Sequence, residues 1–129
     1  MDVLFLIGRI LFASMFIMAG VKSHLLNAKA ATAYAGAAGV PAAGLMVPLT
    51  GLMILAGGLM ILLGIKPKIG AILVLVFLIP TTLMMHRFWG LPDPQMAQMQ
   101  QANFMKNLSM AGAALMFLSI DRWPLSLWP

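Results

Sequence analysis

His86-Arg87-Phe88-Trp89-Gly90 opens the longest polar interval after residue 44, and Asn103-Phe104-Met105-Lys106-Asn107 closes it. A Pro92-Asp93-Pro94 turn and a Gln-rich run lie between them. The apolar segment Ile69 to Met85 precedes this interval, and a second apolar segment follows it to Ile120. Asp93 before Pro94 is the pattern of an N-cap with proline in the first helical position. A helix is therefore predicted to begin near Pro94 and to reach its apolar part at about residues 103–120. Most side chains that could hold a polar ligand sit in this interval or can be placed opposite it.

Working outward, the whole chain has the composition of a membrane protein. It has 129 residues, enough for one domain spanning 1–129, with 62% hydrophobic and 9% charged residues. A soluble domain carries roughly 25% charged residues, and a surface this poor in charge would leave large apolar patches in water. The net charge of +5 comes from eight Lys and Arg against three Asp, with no Glu. The cations stand singly at segment ends, a pattern of headgroup contact and topology signals and not of nucleic-acid binding. The absence of cysteine excludes disulfides, thiolate catalysis, Cys-ligated zinc and iron–sulfur clusters for this chain acting alone.

Counting Ile69 to Met85, three apolar segments precede the interval. Val3 to Val21 is about long enough to cross a hydrocarbon core of ~30 Å. A cleaved signal peptide is its rival reading, because Ala28-Lys29-Ala30 resembles a cleavage site. Against that, the segment begins on Asp2 and Arg9 interrupts its core. Arg9 either snorkels to the near interface or forms an ion pair, with Asp121 expected as partner and Asp2 as competitor. Lys22 to Ala43 is a small-residue connection. Asn27 is expected to cap a short interfacial helix over Ala28 to Ala38, ended by Gly39 and Pro41. Leu45 to Ile65 repeats Gly-Leu-Met at Gly44, Gly51 and Gly58. Such a seven-residue period holds one helix face against a neighbour, and its glycines admit close backbone approach. Lys66-Pro67-Lys68 is a basic hairpin into Ile69 to Met85, where Pro80 frees the Val76 carbonyl and Thr81 or Thr82 is expected to help satisfy the backbone.

These segments predict an all-α membrane protein: a four-transmembrane-helix antiparallel bundle with spans near 3–21, 45–65, 69–85 and 103–120, and a short interfacial helix between the first two. Setting aside Lys22 and Lys106 as membrane-level residues, Lys66, Lys68 and Arg122 lie on the side of the termini, against Lys29 and Arg87 opposite. The positive-inside rule then places the termini in the cytoplasm. No phosphate loop, carboxylate pair, zinc-protease motif or nucleophile elbow occurs. His24 and His86 have no helical i,i+4 partner, so no metal site and no catalytic residue is assigned.

The order of segments resembles the DoxX family of small bacterial inner-membrane proteins. The matching features are Arg9, Gly20-x-Lys22, Gly39-x-Pro41, the Gly-rich second span before a basic turn, His86-x-Phe88-Trp89 and Asn103-Phe104-x-Lys106-Asn107. The resemblance implies a polytopic protein tied to membrane redox chemistry, with relatives found beside thiosulfate–quinone oxidoreductases and redox-defence enzymes. One position departs from the family: members often carry Glu in the second span where this sequence has Ile54, which removes an intramembrane carboxylate.

In a four-span bundle the ends of spans one and three and the start of span four share one membrane face. Lys22, His86, Asn103, Lys106 and Asn107 then form a cationic, donor-rich cluster, walled by Phe88, Trp89 and Phe104. Such a pocket suits a quinone carbonyl or a lipid phosphate beside an apolar tail. Helix stitching by Asn and snorkelling by Lys are the plainer roles for the same residues. The expectation is an accessory subunit of a membrane oxidoreductase that binds quinone or lipid, rather than an enzyme by itself. A structural subunit or assembly factor of a larger complex is the alternative. The expected partners are membrane lipids and other subunits, not nucleic acid.

Overall fold

The computed structural model describes all of residues 1–129, and every regular element in it is helical. Helix α1, Asp2–Met18, runs on without a break into a π-helical stretch, Ala19–Leu26. Then come α2, Ala28–Ala37; α3, Ala43–Leu63; α4, Pro67–Met85; and α5, Pro94–Leu118. Three helices are long and apolar enough to cross a membrane: the continuous Asp2–Leu26, Ala43–Leu63 and Pro67–Met85. Helix α5 is longer than any single one of α1, α3 and α4, at 25 residues, but Gln100, Gln101, Asn103, Lys106 and Asn107 make its first half polar.

The glycine repeat of α3 is read by a matching seven-residue set on α1 and its π-helical extension. A Cβ added at Gly58 would meet Ile17 Cγ1 at 3.0 Å and the Ala13 carbonyl at 3.4 Å, and one at Gly51 would stand 2.3 Å from His24 Cβ. Gly20 closes the same contact from the other side, with the Gly51 carbonyl 2.8 Å from where its Cβ would be. Gly44, the third member, faces open space, because α1 has already ended at that level. On another face of α3, Gly57 and Gly70 bring α3 and α4 together: a Cβ added at Gly57 would stand 3.0 Å from the Gly70 carbonyl, and one at Gly70 would stand 2.8 Å from the Gly57 carbonyl. Gly64 does not continue that face. It adopts φ +68° and ends α3, the left-handed role glycine fills most readily at a helix C-terminus.

The apolar core gathers Ala13 and Phe16 of α1, Ile54 and Ile61 of α3, Val74, Leu75 and Leu78 of α4, Ala114 of α5 and Trp123. Ile54 is 0% exposed within it, so this position in the second span is a packing position. Helix α5 lies mainly along α4. It reaches α1 through Phe12 and Phe117, whose rings meet edge-on at 4.8 Å.

Two local expectations are corrected. Asn27 makes no side-chain bond into α2; its Nδ2 donates backward to the Lys22 carbonyl at 2.9 Å and closes the π-helix instead. Pro80 does lie inside α4, but neither Thr81 nor Thr82 makes a side-chain hydrogen bond, and Thr82 is simply buried. Pro48, which also lies inside α3, removes the donor to the Gly44 carbonyl. In the next turn Thr50 Oγ1 lies 2.6 Å from the Met46 carbonyl, and His24 Nδ1 donates to the Val47 carbonyl at 3.0 Å. Asp93 caps α5 as expected, accepting from Gln95 N at 3.0 Å.

Candidate functional site

The two ends of the bundle differ. At the end of the chain termini, Arg9 is 1% exposed. Its Nε donates to the Ile61 carbonyl at 3.1 Å and its Nη2 to Leu62 at 2.8 Å and Leu125 at 3.3 Å, while Nη1 donates to Pro124. The rings of Phe5 and Trp123 flank the guanidinium, with centroids 6.0 and 5.6 Å away. Neither snorkelling nor the expected pair with Asp121 occurs. Asp121 is almost wholly exposed and bonds Lys68 at 3.4 Å, and Asp2 bonds Arg122 at 3.4 Å. The physical reason lies in α3. Its last carbonyls have no partner within the helix and carry the negative end of the helix dipole. Arg9 takes Ile61 and Leu62, while Leu127 N and Trp128 N each donate at 3.0 Å to Leu63 and Gly64. Every carbonyl of that helix end is thereby satisfied, and residues 123–128 are fastened across it.

The opposite end is built by α2, the end of α4 and the start of α5. His86 follows the last turn of α4, and Gln100, Phe104 and Asn107 follow one another at helical spacing on the inner face of α5. His86 Nδ1 lies 2.9 Å from Gln100 Oε1, Gln100 Nε2 donates to Tyr34 Oη at 3.0 Å, and Tyr34 Oη donates to the Met85 carbonyl at 3.5 Å. Arg87 Nη2 donates to the Ala38 carbonyl at 3.1 Å. These bonds draw α2 onto the mouth of the bundle. One turn along α5, Phe88, Trp89 and Phe104 form a mutually edge-on triangle with centroids 5.3, 5.4 and 6.0 Å apart.

The sequence-derived site residues fall into two groups. Phe88, Trp89 and Phe104 meet at the α4–α5 corner, His86 is bonded to Gln100 one turn earlier on α5, and Asn103 is half-buried and Asn107 buried on the same helix. Lys22 and Lys106 are exposed, and neither side chain makes an ion pair or hydrogen bond. Tyr34 and Gln100 are functional candidates that the sequence reading missed. Tyr34 is the chain's single tyrosine, standing alone in an Ala-rich helix. Gln100 precedes Phe104 and Asn107 at four- and seven-residue spacing, the spacing of one helix face.

Helix content and three helices long and apolar enough to cross a membrane together define a small integral membrane protein with several crossings. The chain belongs to the DoxX family, whose model matches residues 4–87. That match includes Arg9, the glycine-packed α1–α3 contact, Lys22 and His86, and it ends before Phe88. The aromatic triangle and α5 therefore lie beyond the matched region. No curated protein matches the chain, and no solved structure does.

Proposed function

We propose that the mouth formed by α2, α4 and α5 holds the headgroup of a quinone or a lipid, and that the protein serves as an accessory subunit of a membrane oxidoreductase. The observation carrying this reading is the Phe88–Trp89–Phe104 triangle placed one helical turn from the His86–Gln100 pair. Flat apolar walls beside a few polar atoms are the usual makeup of a small-molecule site. The unpaired ammonium groups of Lys22 and Lys106 add positive charge at the same end, and Asn103 and Asn107 add amide donors. In this reading α5 makes a fourth crossing, the setting is the bacterial inner membrane and the termini face the cytoplasm. Family membership supports the redox association.

The test is to purify the protein in mild detergent and measure retained quinone and lipid for the wild type, His86→Phe and Lys106→Met. Loss of one ligand class in either variant, with helix content unchanged, is the expected result. Equal retention in all three would reduce these residues to packing and interface roles.

A second reading has its own observation. Helix α5 leaves Met105, Leu108, Leu115 and Met116 each at least half exposed, a face suited to a neighbouring subunit as well as to lipid. A large complex that keeps its activity after His86 and Lys106 are replaced would favour a purely structural subunit.

A further inference from the structure

We infer that the Tyr34–Gln100 pair fixes the tautomer of His86, so that the mouth selects a ligand that donates a hydrogen bond: the hydroxyl of a reduced aromatic headgroup, not the carbonyl of its oxidised form. The inference rests on the pocket reading above and sharpens it.

The direction of the chain of bonds is set at its far end. The Met85 carbonyl, 3.5 Å from Tyr34 Oη, can only accept, and it is the one acceptor the chain offers this hydroxyl apart from the Gln100 amide. With its hydrogen directed there, Tyr34 accepts from Gln100, whose amide is turned so that Nε2 faces Tyr34 at 3.0 Å. That leaves Oε1 toward His86, 2.9 Å from Nδ1. An amide oxygen only accepts, so Nδ1 carries the hydrogen. In a neutral imidazole the other nitrogen is then a bare acceptor. His86 Nδ1 makes the side chain's one hydrogen bond within the chain, which leaves Nε2 free, and the residue is only partly buried. A hydroxyl brought to this nitrogen gains a hydrogen bond. A carbonyl oxygen in its place meets a lone pair and leaves Nε2 unsatisfied. Tyr34 and Gln100 are positioning residues here: they act on the ligand through His86.

The experiment uses the full chain in nanodiscs, with empty nanodiscs as the partition baseline, and short-tailed benzohydroquinone, benzoquinone and hydroquinone dimethyl ether as probes. The hydroquinone is expected to bind roughly tenfold more tightly than either of the others, the size of one hydrogen bond gained or forfeited at a partly buried site. In Gln100→Leu and Tyr34→Phe that preference falls toward unity while binding persists, because the ring is released to its other tautomer. Imidazole 15N spectra, with His86→Gln assigning the resonance, are expected to show Nδ1 protonated in the wild type. A neutral His86 protonated at Nε2 would overturn the inference, as would equal binding of hydroquinone and quinone by the wild type. Failure of all three probes to bind would overturn the pocket reading itself, and this inference with it.

Discussion

The same bundle ends in two opposite ways. The Arg9 guanidinium donates from all three of its nitrogens to backbone carbonyls, two of them at the open end of α3, while the neighbouring Trp123 indole N–H is the one buried donor left without a partner. Around His86 the bonds form an open chain that stops at Nε2, and the nearby cations, Lys22 and Lys106, have no partner at all. A charge whose hydrogen-bonding capacity is used up by its own chain holds the fold. Capacity left over at a half-exposed corner is what a ligand requires. The deeper and more conspicuous charge, Arg9, is therefore the structural one.

The largest expected effect breaks the closed end. Arg9→Leu strands the Ile61 and Leu62 carbonyls and releases residues 124–125. It should cost about 3 kcal/mol or more, given ~1.5–3 kcal/mol for each bond to a charged group, read as a lowered unfolding midpoint in detergent. Arg9→Lys should restore less than half of that, since one ammonium cannot span four carbonyls. A wild-type midpoint for Arg9→Leu would show that the carbonyl cage is not what holds this end.

Next comes the packing that carries the mouth. Gly51→Leu drives a side chain into His24, whose Cβ lies 2.3 Å from an added Cβ. The expected loss is ~1–3 kcal/mol, in the range for overpacking, together with a drop in folded yield. Gly44→Ala, at the open member of the repeat, should be neutral or stabilising by up to about 1 kcal/mol through helix propensity. The contrast sharpens if both are measured by the same thermal melt.

At the open end, His86→Phe and Lys106→Met should leave the unfolding free energy within about 0.5 kcal/mol of wild type, as substitutions away from the core generally do, while changing bound lipid or quinone. A large stability loss in Lys106→Met would place the second end in the same structural class as the first. Smallest of all is Asp121→Asn. The Lys68–Asp121 pair is exposed at 47% and 97%, so its removal should cost less than about 1 kcal/mol and vanish in high salt.

Much of the fold was legible because its signals are local. The apolar runs, the Asp93–Pro94 cap, the turn at Lys66-Pro67-Lys68 and the close packing of Gly51 and Gly58 all follow from spacing. Gly44 misled because a period does not say where the neighbouring helix stops. Arg9 was recognised as anomalous but assigned a carboxylate partner. Carbonyls at a helix end carry no residue identity, so no sequence pattern announces them. The aromatic corner and His86 were legible as a cluster. Their link to Tyr34 was not, since α2 looks like filler until its one aromatic is seen against α5. Gln100 could have been found from the face it shares with Phe104 and Asn107. For Lys22 and Lys106 the structure gives no contact that ties them to His86.

The Arg9 cage also has a consequence for how the protein is made. The bonds from Arg9 to Pro124 and Leu125 join residues 115 and 116 apart in the chain. While the ribosome works from one to the other, the first helix holds a guanidinium with none of its four acceptors yet synthesised, and from residue 62 onward with only two. An arginine in mid-span costs about 2.5–3.5 kcal/mol on insertion scales. Half of the arginine's acceptors therefore come from the last six residues of the chain, and its hydrogen bonding is completed only when residues 124 and 125 have been made.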